Sequence, residues 1–220
     1  MLIIFIFCSC IGLIIQYILR KKFKKYSKIE IGCKLSGYQA AKKILKDHNI
    51  TNVNITFSKG YLSDHYNPIN RTVNLSEENY YSKSIAAVAV AAHECGHAIQ
   101  HYEGYKFLKL RSKLVPILSI TSRYFSILLM IAMLAINYSL IPLKIAIVFY
   151  STILLFSIVT LPVEFDASKR ALNWINNITS EKEYLIAKDA LFWAAMTYVV
   201  NTISALLNFL YFVYLLNKKN

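Results

Sequence analysis

Four apolar runs are separated by polar segments along this chain. They cover residues 2–19, 114–141, 143–163 and 190–216. Each is at least as long as the shortest α-helix that crosses a bilayer, roughly 17 residues. The pattern predicts a mainly α integral membrane protein with about four transmembrane helices.

Basic residues follow the first apolar run directly, at positions 20–25. A cleaved signal peptide carries its positive charge before the apolar stretch, so the first run is predicted to be an uncleaved anchor. The positive-inside rule places the basic residues in the cytoplasm and the N-terminus outside. Alternation of the later runs then puts both long polar segments on the cytoplasmic side.

This topology divides the chain into five parts. They are a transmembrane anchor at 1–19, a cytoplasmic α+β part at 20–113, a transmembrane hairpin at 114–163, a cytoplasmic helix at 164–189 and a C-terminal transmembrane helix at 190–220. Lys218 and Lys219 disagree with this topology, because it places them outside. The two cytoplasmic segments contain many more lysines and arginines, so the topology is kept.

The polar part at 20–113 carries both helix and strand signals. Ser36 precedes an amphipathic stretch and is predicted to cap a helix over 36–48. Alternating positions predict a strand over 53–58, and turn residues predict a strand-turn-strand over 64–75. Further along, the pattern predicts a helix that starts with Ser76 as its cap and a longer helix over 82–103.

Composition supports a membrane protein. The 220 residues are 56% hydrophobic, with a mean hydropathy of +0.41 and a formal net charge of +13. In a membrane protein such a basic excess reflects cytoplasmic loops and anionic lipid headgroups, so no nucleic-acid partner is predicted. The four cysteines are scattered, and their positions indicate no disulfide framework.

The predicted helix over 82–103 contains the motif His93-Glu94-x-x-His97. Two histidines four residues apart lie on one face of a helix, where both can bind one metal ion. Glu94 is placed to take a proton from a water molecule activated by that metal. The alternative is that both histidines are core residues that bond to backbone carbonyls, but the small apolar lead-in at 84–92 is typical of a buried active-site helix.

A catalytic zinc site needs a third protein ligand and an open position. The candidates are His101, Glu103, Glu164 and Asp166. His101 lies one further turn along the helix and drifts about 40° away from the other histidines, so a helix-end or surface role is favoured for it. The segment 163–171 emerges at the end of the third apolar run, where a carboxylate needs a partner such as zinc. An acidic helix cap is the alternative for that segment.

Several segments together resemble the YugP-like family of bacterial membrane-bound neutral zinc metallopeptidases. The chain is more distantly similar to membrane peptidases of the HtpX and CAAX-prenyl types. The matching segments, in order, are 64–68 (DHYNP), 71–76 (RTVNLS), 84–94 (SIAAVAVAAHE), 96–100 (GHAIQ), 111–116 (RSKLVP) and 161–168 (LPVEFDAS).

The resemblance implies a gluzincin-like peptidase with a small α+β zincin-like catalytic part. His93, His97 and Glu164 would be the Zn²⁺ ligands, and Glu94 the general base. HtpX-type enzymes have an acidic residue four positions after the ligand glutamate, where this chain has Ser168. Asp166 is instead a candidate to orient one of the ligand histidines, with a surface role as an equal alternative.

The expected function is a zinc-dependent membrane metalloendopeptidase acting on proteins or peptides from the cytoplasmic side of a bacterial cell membrane. Zinc would activate a water molecule, Glu94 would be its base, and an extended substrate would pair with an edge strand, for which residues 71–75 are the candidate. An oxyanion donor is also required, and His65, Tyr66 and Tyr102 are the candidates. The main alternative is a non-catalytic membrane protein with a structural or regulatory zinc site; a third is a membrane adaptor whose motif is accidental. No oligomeric state is predicted.

Overall fold

The computed structural model describes residues 2–60 and 63–219, with side chains from position 6 onward in these ranges. Positions 1 and 220, at the ends of the predicted anchor and C-terminal helix, lie outside the described residues. The elements are α1 (Leu2–Tyr26), α2 (Gly37–Asp47), β1 (Asn54–Ser58), β2 (His65–Asn67), β3 (Thr72–Ser76), α3 (Glu77–Tyr81), α4 (Ile85–Tyr102), α5 (Lys106–Ala135), α6 (Ile141–Asn176) and α7 (Glu181–Lys219).

The chain forms two compact units. The helical unit contains the start of α1 up to Ile14, Lys106–Pro162 and the part of α7 from Thr197 onward. The mixed unit contains Ile15–Tyr105 and Val163–Met196. Helices α1, α6 and α7 each contribute to both units.

The helical unit contains most of the apolar residues of the long helices. Among the described residues, α5, α6 and α7 are long and apolar enough to cross a membrane. The rings of Phe125, Tyr150 and Phe212 pack together, with centroids 5.0–6.1 Å apart. Lys219 donates a hydrogen bond to the Asn137 side chain at 2.8 Å, so the end of α7 lies beside the turn between α5 and α6. The end of α7 and the α5–α6 turn therefore lie together at one end of the helical unit.

The mixed unit packs a three-stranded sheet and several helices around one core. The strand order is β1-β3-β2, with β1 parallel to β3 and β2 antiparallel to it. The core draws on α2, the strands, α4, the end of α6 and the start of α7; its most buried large side chains include Ile44, Leu75, Ile85 and Ile175. Trp174 donates a hydrogen bond to Asp47 at 2.9 Å and so joins α6 to α2.

Capping explains where two predicted helices begin. The Ser36 side chain accepts a hydrogen bond from the Gln39 backbone, and Gln39 returns one, which completes a capping box for α2. The Ser84 side chain caps α4 through the Ala87 backbone N–H. Ser76 occupies the N-cap position of α3 as predicted, but its side chain makes no capping hydrogen bond.

Two further expectations need correction. Residues 71–75 do not form an edge strand, because β3 lies between β1 and β2. The polar segment at 164–189 is also not one helix. Its first part continues α6 through Pro162 without a break, and its last part begins α7 after a short turn.

Candidate metal centre

The motif His93-Glu94-x-x-His97 lies in the middle of α4, as predicted. Almost all of this helix is buried, from Ile85 to Gln100, and its residues are small and apolar around the motif. Gly96 lies directly against α6. A Cβ atom at Gly96 would be 2.7 Å from the Ala167 carbonyl oxygen, so only glycine allows the two backbones to approach this closely.

This close approach brings a carboxylate from α6 onto the two histidines of α4. The Glu164 carboxylate lies 3.2 Å from Nε2 of His93 and 3.6 Å from Nε2 of His97. All three ligand atoms lie within 4.8 Å of one another. Glu164 is 2% exposed, so a carboxylate is held inside the protein between two imidazole rings.

The donor set fits zinc. A tetrahedral zinc ion with bonds of about 2.0–2.1 Å holds its ligand atoms about 3.3–3.4 Å apart. The separations of 3.2 Å and 3.6 Å between Glu164 and the histidine nitrogens straddle that value. Two imidazoles and one carboxylate also leave a fourth tetrahedral position, as catalytic zinc sites do. His93, His97 and Glu164 could therefore hold a metal ion.

The second nitrogen of each histidine has its own partner. Nδ1 of His93 lies 3.1 Å from the Ser168 hydroxyl, on the helical turn of α6 after Glu164. Nδ1 of His97 lies 3.0 Å from Oε1 of Gln100. Both rings therefore direct Nε2 toward the Glu164 carboxylate.

Glu94 is buried beside this cluster, at 8% exposure. Burial raises the pKa of its carboxyl from the ordinary value of 4.5 to about 7. This value also includes smaller contributions: His93 and a hydrogen bond from the Tyr66 backbone N–H lower the pKa, while the nearby carboxylates of Glu164 and Asp64 raise it. That hydrogen bond places strand β2 against the motif.

The other candidate ligands have different partners. Nδ1 of His101 lies 2.7 Å from the Tyr66 hydroxyl. Glu103 pairs with Arg170 at 2.8 Å, and Asp166 pairs with the same arginine at 2.6 Å. Among the described residues, the cluster that could hold a metal comprises His93, His97 and Glu164. His101, Glu103 and Asp166 are not part of it.

Two of the three candidate oxyanion donors have hydrogen-bond partners, and the third is exposed. The ring of His65 contacts the Ser63 carbonyl through Nδ1 and the Asn74 side-chain amide through Nε2. The Tyr66 hydroxyl forms a hydrogen bond with His101. Tyr102 lies on the last turn of α4 and is 62% exposed. Cys95 lies within the motif, but burial raises the pKa of its thiol well above the usual range, so it stays protonated in the core.

Sequence reasoning missed Gln100. This side chain is fully buried and contacts His97, the Val163 carbonyl and Asp166. Its signal is present in the sequence. Gln100 is a polar residue on an apolar helix, and it lies three residues after His97, on the same face.

Comparison with known proteins agrees with this geometry. Residues 1–217 match the family described as "Putative neutral zinc metallopeptidase". The chain is 38% identical over 218 residues to the "Putative membrane protease YugP" of Bacillus subtilis (strain 168), which covers 97% of this chain and 96% of that protein. No solved structure matches the chain.

These similarities extend over nearly the whole chain and include both halves of the candidate metal centre. These similarities, the His-His-Glu cluster and the three apolar helices are the evidence for three properties. The protein uses a zinc cofactor, acts on proteins or peptides and associates with a membrane. The chain therefore belongs to the neutral zinc metallopeptidase family, within the YugP-like group.

Proposed function

We propose that the protein is a zinc-dependent membrane endopeptidase in which His93, His97 and Glu164 hold the ion and Glu94 is the general base. The observation that supports this most is the convergence of the three ligand atoms within 4.8 Å, from two helices far apart in sequence. A gluzincin-type set of two histidines and one glutamate, with a glutamate beside the first histidine, is suited to peptide hydrolysis.

The chemistry divides between the ion and the protein. A bound zinc ion supplies Lewis acidity, which polarises a scissile carbonyl and acidifies a water molecule. Glu94 takes a proton from the attacking water on its carboxylate and delivers it to the nitrogen of the leaving amine. The burial of Glu94 next to His93 keeps bulk water away from that proton transfer.

The substrate is proposed to lie along β2. This strand is at the edge of the sheet, since the order is β1-β3-β2 and β2 pairs with β3 on one side. The Tyr66 backbone N–H reaches Glu94, so the edge runs directly past the proposed base. Pairing with an edge strand holds a peptide in an extended conformation, which presents one carbonyl to the centre. The sheet and α4 together would then act as a zincin-like catalytic part.

We further propose that α1 is a fourth transmembrane helix and that the mixed unit faces the cytoplasm of a bacterial cell. The basic residues at 20–25 and the many lysines of the mixed unit support this orientation. In a cysteine-free background, an impermeant thiol reagent applied to intact cells should label Tyr138→Cys, at the turn after α5, and leave Lys59→Cys unlabelled. The reverse pattern would overturn the orientation.

The decisive experiment on function compares the wild type with Glu94→Gln in detergent, at matched zinc content. The substrate is an unfolded protein. We expect Glu94→Gln to keep its zinc and to lose activity by a factor of about 10²–10⁴, the usual contribution of a general base. Glu78→Gln is the matched control, because Glu78 is exposed on α3, and its activity should equal that of the wild type.

Two outcomes would contradict the proposal. Equal cleavage by wild type and Glu94→Gln would show that Glu94 is not the base. Stoichiometric zinc without cleavage of any of a panel of unfolded proteins would favour a structural or regulatory zinc site instead.

A further inference from the structure

We propose that Gln100 is a positioning residue of the metal centre, which fixes the tautomer and orientation of His97. The inference rests on the proposed role of His97 as a metal ligand. It also assigns Asp166 an indirect role, because Asp166 reaches His97 through Gln100.

The contacts of Gln100 determine which way its amide points. Nε2 lies 2.8 Å from the Val163 carbonyl oxygen and 2.8 Å from Oδ2 of Asp166. A carbonyl and a carboxylate only accept hydrogen bonds, so this end of the amide is the NH₂ group. The oxygen end must then face Nδ1 of His97, at 3.0 Å.

The orientation of Gln100 in turn determines the tautomer of His97. An amide oxygen only accepts, so Nδ1 of His97 carries the proton. Nε2 of a neutral imidazole with a protonated Nδ1 has a free lone pair. In His97 that lone pair faces the Glu164 carboxylate 3.6 Å away, which is the direction in which a metal would be bound.

Gln100 is reinforced by a chain of charged groups. Asp166 accepts from Nε of Arg170 at 2.6 Å, and Arg170 also pairs with Glu103 at 2.8 Å. A hydrogen bond donated to a carboxylate polarises the amide and makes its oxygen a better acceptor. The chain therefore strengthens the hold of Gln100 on His97, and it links α4 to α6 next to Glu164.

His93 is held differently. Its Nδ1 contacts the Ser168 hydroxyl at 3.1 Å. A hydroxyl rotates and can donate or accept, so it imposes no tautomer on the ring. The ring orientation of His97 is therefore fixed, in contrast to that of His93. The Gln100 amide that fixes it is fully buried, and both of its ends have hydrogen-bond partners. Burial of an amide is costly without such partners.

The test measures zinc affinity of the full-length protein in detergent, by competition with a chelator. Gln100→Met keeps the size of the side chain and removes the acceptor for His97. We expect its zinc affinity to fall by about 10- to 100-fold, as is usual when the partner of a ligand histidine is lost. Ile99→Met is the matched control, because Ile99 is a buried core residue next to Gln100, and its affinity should equal that of the wild type.

Gln100→Glu separates positioning from simple packing. It retains an oxygen for Nδ1 of His97 but loses the donor to Val163 and places a second acid beside Asp166. We expect it to recover most of the zinc affinity that Gln100→Met loses, although its melting temperature should fall. The absorption spectrum of bound Co²⁺ should change in Gln100→Met and remain that of the wild type in Ile99→Met.

The inference is overturned if Gln100→Met binds zinc as tightly as the wild type, or if Gln100→Glu binds as weakly as Gln100→Met. Neither measurement uses peptidase activity. A wild type that binds zinc and cleaves nothing would refute the proposed function and leave this series interpretable. A wild type with Glu94-dependent cleavage and an unchanged affinity in Gln100→Met would refute only the role of Gln100.

Discussion

Helices α4 and α5 are both apolar, but they are surrounded differently. In α4 the residues from Ile85 to Gln100 are buried, with His93 as the half-buried exception. In α5, which has 30 residues, the buried ones are Leu108, Thr121 and Ala132. The first helix is enclosed by protein, and the second exposes most of its apolar side chains.

The difference lies in side-chain size. Helix α4 is rich in alanine and contains Gly96, so other backbones can approach it closely. Helix α5 is rich in isoleucine, leucine and methionine, and many of these large side chains are exposed. A helix with large exposed apolar side chains is suited to lipid. Hydropathy alone therefore does not distinguish these two helices, whereas the volume of their side chains does.

The largest effect in this comparison is expected where α4 packs most tightly. Gly96→Ala places a methyl group 2.7 Å from the Ala167 carbonyl oxygen and 3.0 Å from its Cα, so α4 and α6 must separate. We expect the free energy of unfolding to fall by about 1–3 kcal/mol, the usual cost of overpacking. Zinc affinity should fall as well, because the separation moves the histidines away from Glu164. Denaturant titration and chelator competition in detergent measure the two effects.

Gly12→Ala is the control for that change. Gly12 lies in α1, and a Cβ atom there meets no other atom within 4 Å. Alanine stabilises a helix relative to glycine by roughly 0.5–1 kcal/mol, so this variant should be as stable as the wild type or more so. If both variants behaved alike, the close approach of α4 to α6 would not limit the packing of the site.

The local features of the mixed unit could be predicted from sequence. The capping signals at Ser36 and Ser84 and the motif itself are short-range patterns, and α2 and α4 follow from them. The antiparallel pairing of β2 and β3 follows from turn residues between two nearby strands. Each of these features is determined by residues close together in sequence.

Long-range contacts could not be predicted in the same way. From the residues alone the third ligand stayed open among four side chains, and the structure brings Glu164 to His93 across 71 positions. The position of β3 at the centre of the sheet depends on its parallel pairing with β1, which no local pattern specifies. Helix α6 passes through Pro162, although helices usually end before a proline. Gln100 was missed because its proposed role depends on partners on α6.

The smallest predicted effect tests the comparison of α4 and α5 most directly, with the same substitution in each helix. Ile85 in α4 is 1% exposed, and Ile120 in α5 is 60% exposed. Ile85→Val should cost about 0.5–1.5 kcal/mol of unfolding free energy, because it leaves a small cavity in the protein core. Ile120→Val should stay within about 0.5 kcal/mol of the wild type, since detergent or lipid fills the space of the lost methyl group. Equal losses in the two variants would mean that α5 is covered by protein, for example by a second copy of the chain, and crosslinking from position 120 would then identify that partner.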